Sequence, residues 1–456
     1  MSKLQFNKRN NYVSIAIVVA LSLGHHCYAE GAVSGGERSP TSQPQSIPPL
    51  SLTLQGALAA AIENNPAVLL YKERIEEARG QVQTQLGTML PNLSSTVRQS
   101  NQTVFRGTFG LNPTRSDPFS IFDARVNATQ NLLSISLIQR WRASREMLQV
   151  SEAESESKKF DTMASVALTY MEGLKALGMV KMHEANQQVM NDLLGLIKQR
   201  QRMGVATSLD IARLDAQLAS ERQQTSVSQY AVESAKLNLL NLLALPYETP
   251  LVLTDEFRPD ALGPSTVQAA VEEALKQRPE VMAQVTRVRA TELTYSSITG
   301  ERLPSLVAQG DYGQIGNRWG NTLDTYNLAL LLQIPIFDGG QREGRIAQTR
   351  SQLRQEALRL QSILNHVKME VHDAMAALTG AKDQVGIAQA GIRSASKELE
   401  LARERYTVIT SSSHFELTNA LTAVARARQN LVDALFQLNA ARVNLARATG
   451  SLNTLD

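Results

Sequence analysis

Leu90-Pro91-Asn92-Leu93 and Leu303-Pro304-Ser305-Leu306 are two copies of one phrase, 213 residues apart. The same spacing links Asn65-Pro66-Ala67-Val68 to Arg278-Pro279-Glu280-Val281, and Thr53-Leu54-Gln55-Gly56-Ala57 to Thr266-Val267-Gln268-Ala269-Ala270. Further on, Ala235-Lys236-Leu237-Asn238-Leu239 returns as Ala441-Arg442-Val443-Asn444-Leu445, now 206 residues later. One long unit is therefore present twice, and the chain is pseudo-symmetric rather than a catalytic domain with an appendage. Gln130-Asn131-Leu132-Leu133-Ser134 aligns with Gln333 to Asp338 at a spacing of 204. The second copy has lost nine residues between Pro304 and Phe337, a change that exposed loops tolerate.

The repeated phrase marks a change of period. Before it, Leu52 to Leu90 has helical spacing, which Pro91 ends. After it, apolar residues alternate. Phe122, Ala124, Val126 and Ala128 interleave with Asp123, Arg125, Asn127 and Thr129, and Tyr326, Leu328, Leu330, Leu332, Ile334 and Ile336 keep a period of two. Such runs predict strands with one apolar and one polar face. The expected strands are about 92–106 and 119–133 in the first copy, and about 305–315 and 325–337 in the second. The loops between them, Gly107–Pro118 and Gly316–Asp324, have Phe109, Phe119, Trp319 and Tyr326 in or near them, as in a membrane girdle.

After each strand pair comes a stretch of about 70 residues without proline, Ser134–Met203 and Gly340–Val408. Each predicts a helix of roughly 105 Å at 1.5 Å per residue. The returning helices, Ser208–Leu245 and Phe415–Thr449, are about half as long, so stacking them end to end with Leu52–Leu90 and Thr266–Leu303 would match the long ones. Phe160, Met163, Ala167, Tyr170, Leu174 and Leu177 step by three and four, as do Ala420, Val424, Ala427, Leu431, Ala434, Leu438, Ala441 and Leu445. These are coiled-coil seams, and their alanines permit close packing. The expected organisation is a signal peptide at 1–29, a Pro/Ser-rich lead-in at 30–50, and a first repeat at 51–245. A linker at 246–263, a second repeat at 264–452 and a tail at 453–456 follow.

The start of the chain reads as a secretory signal. Lys3, Lys8 and Arg9 precede an apolar run from Tyr12 to Leu23, and Cys27-Tyr28-Ala29 has the spacing for cleavage after Ala29. That cleavage would remove the only cysteine, and with it disulfide and thiol chemistry. Three of the 46 basic residues and none of the 43 acidic ones lie in 1–29. The remainder is charge-balanced, so nothing invites nucleic acid or an anionic membrane surface. No later apolar run is long enough for a transmembrane helix. An exported chain with such strands then has two homes, soluble or in a β-barrel. Two strand pairs cannot close a barrel, because open edges are forbidden in hydrocarbon. Three copies would pool twelve strands, within the range of outer-membrane barrels.

At this point the chain resembles the TolC family of outer-membrane efflux proteins. The resemblance is carried by Asn64-Asn65-Pro66, Leu90-Pro91-Asn92-Leu93, Gly204-Val205-Ala206-Thr207-Ser208-Leu209-Asp210, Ile334-Pro335-Ile336-Phe337-Asp338-Gly339-Gly340 and the run Asn439 to Gly450, and covers about residues 51–452. It implies a mainly α fold with a β-barrel part: a homotrimer whose twelve-stranded barrel sits in the outer membrane above a periplasmic α-helical tunnel. It also implies partners, a periplasmic adaptor and an inner-membrane pump of RND, ABC or MFS type. Together they would move drugs, metals, other small molecules or polypeptides, with no chemistry and no cofactor in the duct.

The resemblance places adaptor docking at two helix-turn-helix tips, Arg202–Asp210 and Arg405–Glu416. The docking residues would be Gly204, Val205, Ala206, Thr207 and Ser208 on the first, and Thr410, Ser411, Ser412 and Ser413 on the second. The family's second tip usually carries a glycine after Arg-Tyr; here Arg405-Tyr406 is followed by none, and the tip is one residue longer. Acidic residues often line the pore after that tip. Glu416 and Asn419 stand at those places, so the charge ring is thinner here. Asp210 is 206 residues before Glu416 and is its pseudo-equivalent. The aperture gate is expected at Asp210, Tyr406, Glu416 and Asn419, where repeated carboxylates favour cations. First-turn carboxylates also cap helices, a role open to both Asp210 and Glu416.

Enzyme and metal signals are weak. His183, His366, His372 and His414 form no zinc motif, and neither a phosphate loop nor a nucleophile elbow is present. A periplasmic coiled-coil adaptor or spacer is the alternative, though it would leave the duplicated strands unexplained.

Overall fold

The structure, a computed structural model, describes residues 49–105, 114–259, 266–408 and 414–452. Each repeat contains helix, helix, strand, strand, long helix and returning helix. The first comprises α1 (Leu54–Asn64), α2 (Pro66–Gly87), β2 (Asn92–Gln102), β3 (Phe119–Leu133), α3 (Ile135–Arg202) and α4 (Ser208–Leu242). The second comprises α5 (Val267–Gln277), α6 (Pro279–Gly300), β5 (Ser305–Arg318), β6 (Asn321–Gln333), α7 (Gln341–Val408) and α8 (His414–Thr449). Two short strands, β1 (Leu50–Leu52) and β4 (Leu251–Leu253), pair in parallel.

Several boundaries depart from expectation. Leu52–Leu90 is not one helix. Asn65 is extended at φ −64, ψ 122, because a residue before proline is pushed out of the α region, and Pro66 then opens a new helix at its favoured first position. β4 lies inside the stretch read as a linker. β2 stops at Gln102, with only a bridge from Phe105 to Arg115 beyond it. The second hairpin has a two-residue turn, Trp319-Gly320, so β5 runs on to Arg318 and β6 starts at Asn321. β6 ends at Gln333 and not at 337: Pro335 has no N–H to give a ladder. Of the expected loop Gly107–Pro118, residues 107–113 fall outside the described residues, and so do residues 409–413 of the second tip, Arg405–Glu416.

The strands form one antiparallel sheet in the order β2-β3-β5-β6. Its register segregates polarity. Val126, Tyr312 and Tyr326 are cross-strand neighbours on one face, followed by Ala128, Gly310 and Leu328. On the other face Arg125 pairs with Asp123 at 2.7 Å and with Asp311 at 3.1 Å. The apolar face is bare: Val97, Tyr312, Tyr326, Leu328 and Leu330 are each exposed by 61–80 %.

α3 and α7 are each 68 residues, roughly 100 Å long. Near the sheet, neighbouring helices run α2, α3, α6, α7; toward the far end they run α4, α3, α8, α7. The two long helices thus span the assembly, and the shorter ones fill its halves. Met163, Ala167, Tyr170 and Leu174 of the first expected seam are buried with α1, β1 and β4. Ala434, Leu438, Ala441 and Leu445 of the second are buried against α5 and α7. The Tyr170 hydroxyl donates to the Leu52 carbonyl at 2.9 Å, and burial pushes its pKa up to about 12.

Candidate tunnel mouth and docking tips

At the first tip α3 closes on a left-handed glycine. Gly204 has φ +75, its N–H reaches the Gln201 carbonyl at 2.9 Å, and the Val205 N–H reaches the Arg200 carbonyl at 3.0 Å. This is a Schellman closure, and glycine enters the left-handed region without a Cβ penalty. Three residues later α4 starts on a capping box. The Asp210 N–H donates to Thr207 Oγ1 at 3.3 Å, and the Thr207 N–H donates to Asp210 Oδ2 at 3.0 Å. The Gln201 amide donates to the Ser208 hydroxyl across the turn at 3.0 Å. The apex is therefore short, internally bonded and held at a defined angle. Met203, Val205 and Leu209 are exposed on it.

Behind the apex the two hairpins pack together. Leu193 and Ile197 of α3, Leu214 and Leu218 of α4, Tyr406 of α7, and Leu417, Ala420 and Leu421 of α8 form one buried cluster. The Arg200 guanidinium lies 4.4 Å from the Tyr406 ring centre, a cation–π contact across the two hairpins. Burial raises the Tyr406 pKa. The Arg200 charge opposes that rise and the Asp210 charge adds to it. Asp210 and Tyr406 thus lie within electrostatic reach of each other, from opposite hairpins.

Glu416 sits elsewhere. It pairs with Arg405 at 3.0 Å, across the start of the second tip. Asn419 is exposed on α8. Thr410, Ser411, Ser412 and Ser413 lie outside the described residues. Arg200 was not expected at the mouth, and Arg405 was named only as the start of the second tip. A lone arginine near a helix end reads as a solvated dipole partner, and only the fold reveals what it meets.

Helices of this length, hung from a sheet with a bare apolar face, make a chain of two parts, a strand end suited to lipid and a long helical body. The comparisons agree. A family model described as outer membrane efflux protein matches residues 57–245 and 270–451. The chain belongs to that family, and is an outer-membrane protein whose helices extend into the periplasm. It is 25 % identical over 369 residues to the pyoverdine export outer membrane protein OpmQ of Pseudomonas aeruginosa, covering 79 % of this chain and 76 % of that one. A crystal structure of a membrane protein from Pseudomonas aeruginosa superposes with a TM-score of 0.78 at 20 % identity, over 90 % of this chain and 99 % of that one. The CmeC outer membrane channel of Campylobacter jejuni gives 0.77 at 18 % identity, over 88 % and 87 %.

Proposed function

We propose that three copies of this chain close a twelve-stranded barrel and form the passive exit duct of a tripartite export system. The observation that supports this most is the four-stranded sheet itself. Its apolar face suits lipid, yet strands β2 and β6 leave open edges, which hydrocarbon does not permit. Pairing β6 of one copy with β2 of the next removes every edge. Val227 and Tyr230 on α4, and Met369 and Ile387 on α7, are exposed apolar positions. A neighbouring copy would cover them. The duct carries out no catalysis; an inner-membrane pump supplies the work, and a periplasmic adaptor docks on Gly204–Ser208 and Thr410–Ser413.

Purified protein from outer-membrane fractions should migrate as a heat-modifiable trimer and conduct ions in planar bilayers. A stable monomer without conductance would sink the reading. The gate belongs to the same proposal. Asp210 and Tyr406 latch the two hairpins, and one hydrogen bond to a charged group contributes about 1.5–3 kcal/mol. Three latches hold the mouth until docking untwists it. Asp210→Ala combined with Tyr406→Phe should raise conductance. Glu416→Gln should weaken cation selectivity, with Asn419 too weak a ligand to restore it. Unchanged conductance and unchanged selectivity would leave these residues as caps alone.

A further inference from the structure

The polar face of the sheet is set by the register of its strands. Arg125 lies opposite Thr96 and Gly313, and every second residue along each strand shares its side. Away from the strand ends, the described residues put four charges on that face: Arg98 of β2, Asp123 and Arg125 of β3, and Asp311 of β5. They are not equally engaged. Arg125 donates to both oxygens of Asp123, from Nε at 2.7 Å and from Nη2 at 2.8 Å, and from Nη1 to Asp311 at 3.1 Å. Both carboxylates are thus committed to one guanidinium. Arg98 is the cross-strand neighbour of Asp123, yet it is exposed and forms no ion pair among the described residues. Nor does barrel closure supply one. β2 is an edge strand, and its open side would meet β6 of the next copy. The polar-face residues of β6 are Leu323, Thr325, Asn327, Ala329 and Leu331, all uncharged, so no register of that seam brings Arg98 a carboxylate from β6.

From this imbalance we infer that Arg98 is a specificity-determining residue of the duct, an unpaired cation that keeps the barrel lumen open to anionic cargo. The inference rests on the barrel proposed above, whose closure turns the polar face inward. The Arg125 cluster has one guanidinium against two carboxylates, one net negative charge per copy. Three copies ring the lumen with that charge, a pattern that favours cations and excludes anions. Arg98 stands two residues past Thr96, about 7 Å farther from the helices, and offsets it. The strand-lined lumen is then neutral overall, and solutes bearing carboxylate or phosphate groups pass it without a net repulsive charge.

The test is the reversal potential of the full-length trimer in planar bilayers under a potassium chloride gradient centred at about 0.1 M, where charges act over about 10 Å. Arg98→Gln leaves the lumen net negative, so the ratio of potassium to chloride permeability should rise by roughly threefold or more. Arg98→Lys should keep the wild-type ratio. Asp311→Asn should shift it the other way, and Arg98→Gln combined with Asp311→Asn should return it close to the wild-type value. Arg98→Cys gives a second route. A cationic methanethiosulfonate should restore the wild-type ratio, and an anionic one should push it further toward potassium. A ratio that neither Arg98→Gln nor either label moves overturns the inference and leaves the duct standing. Wild-type protein that forms no trimer or no channel overturns the duct reading, and the inference with it.

Discussion

The two repeats end their returning helices with the same turn and different residues. α8 closes on Gly450 at φ +80; α4 closes on Ala244 at φ 52, 206 residues earlier. The hydrogen bonds correspond. Gly450 and Ser451 donate to the Arg447 and Ala446 carbonyls, and Ala244 and Leu245 donate to those of Asn241 and Leu240. A left-handed alanine costs about 1–2 kcal/mol. The first repeat bears that cost because the turn is held from inside, by Leu239, Leu240 and Leu243, each at most 2 % exposed. Packing imposes the turn here, with or without the residue that favours it.

The helix breaks that dock on these turns differ in kind. Asn65 caps α2 through the Ala67 N–H at 2.9 Å and donates to the Leu242 carbonyl at the end of α4 at 2.7 Å. Its counterpart Arg278 makes no side-chain cap. Its guanidinium is 5 % exposed and pairs with Glu280 at 2.6 Å and with Glu370 of α7. One repeat thus joins its elements through a neutral side chain and backbone, and the other through charge.

The largest effect should come from breaking the charged junction. Arg278→Met leaves two carboxylates without the buried cation they share. Removing one partner of a buried pair costs about 3–5 kcal/mol. Glu280 and Glu370 are partly exposed, which places this case near the lower end. Asn65→Ala should cost about 1–2 kcal/mol, one cap and one further hydrogen bond. Thermal unfolding of the purified protein, followed by far-UV circular dichroism, compares them; a costlier Asn65→Ala would mean that the charged junction is the weaker one. Next in size is Gly450→Ala. It meets the left-handed penalty of about 1–2 kcal/mol, and its new Cβ would lie 3.3 Å from Gln277. The reverse change, Ala244→Gly, should stabilise by about 0.5–1 kcal/mol, since relief of strain exceeds the entropy glycine adds to the unfolded chain. Equal signs for the two substitutions would show that the turns are not equivalent.

How much of this could be read beforehand depended on period. The long helices and the alternation in β3 come from local patterns repeated over many residues, and those patterns survive in the fold. The paired prolines were visible too, yet Pro66 was absorbed into a helix read as continuous, although its first-position preference marks a start. β1 and β4 were missed because a three-residue strand has no period, and its partner lies some 200 residues away. At the mouth, Asp210 and Tyr406 were named from resemblance. Arg200, which lies over Tyr406, had no signal of its own: a cation–π contact between α3 and α7 needs the register of two helices fixed first.

The smallest effect concerns pH, and it separates the repeats most cleanly. Asn65 does not titrate, so the first junction should be insensitive to pH. At the second, burial raises the Glu280 pKa, and this outweighs the attraction of Arg278 beside it; Glu370 and Asp161 add to the rise, and Arg447 opposes it. The folded chain therefore holds that proton more firmly than the unfolded chain does. Stability linked to Glu280 is then greatest below the ordinary carboxylate value of about 4.3, and falls as pH climbs from there through the raised folded value. Glu280→Gln removes the charge that burial penalises, while its amide oxygen can still accept from Arg278. The variant should match the wild type near pH 4 and exceed it in thermal midpoint near pH 7. A wild type that is the more stable of the two at pH 7 would mean that the ion pair with Arg278 outweighs burial, and that the second junction is held together by the charge it keeps.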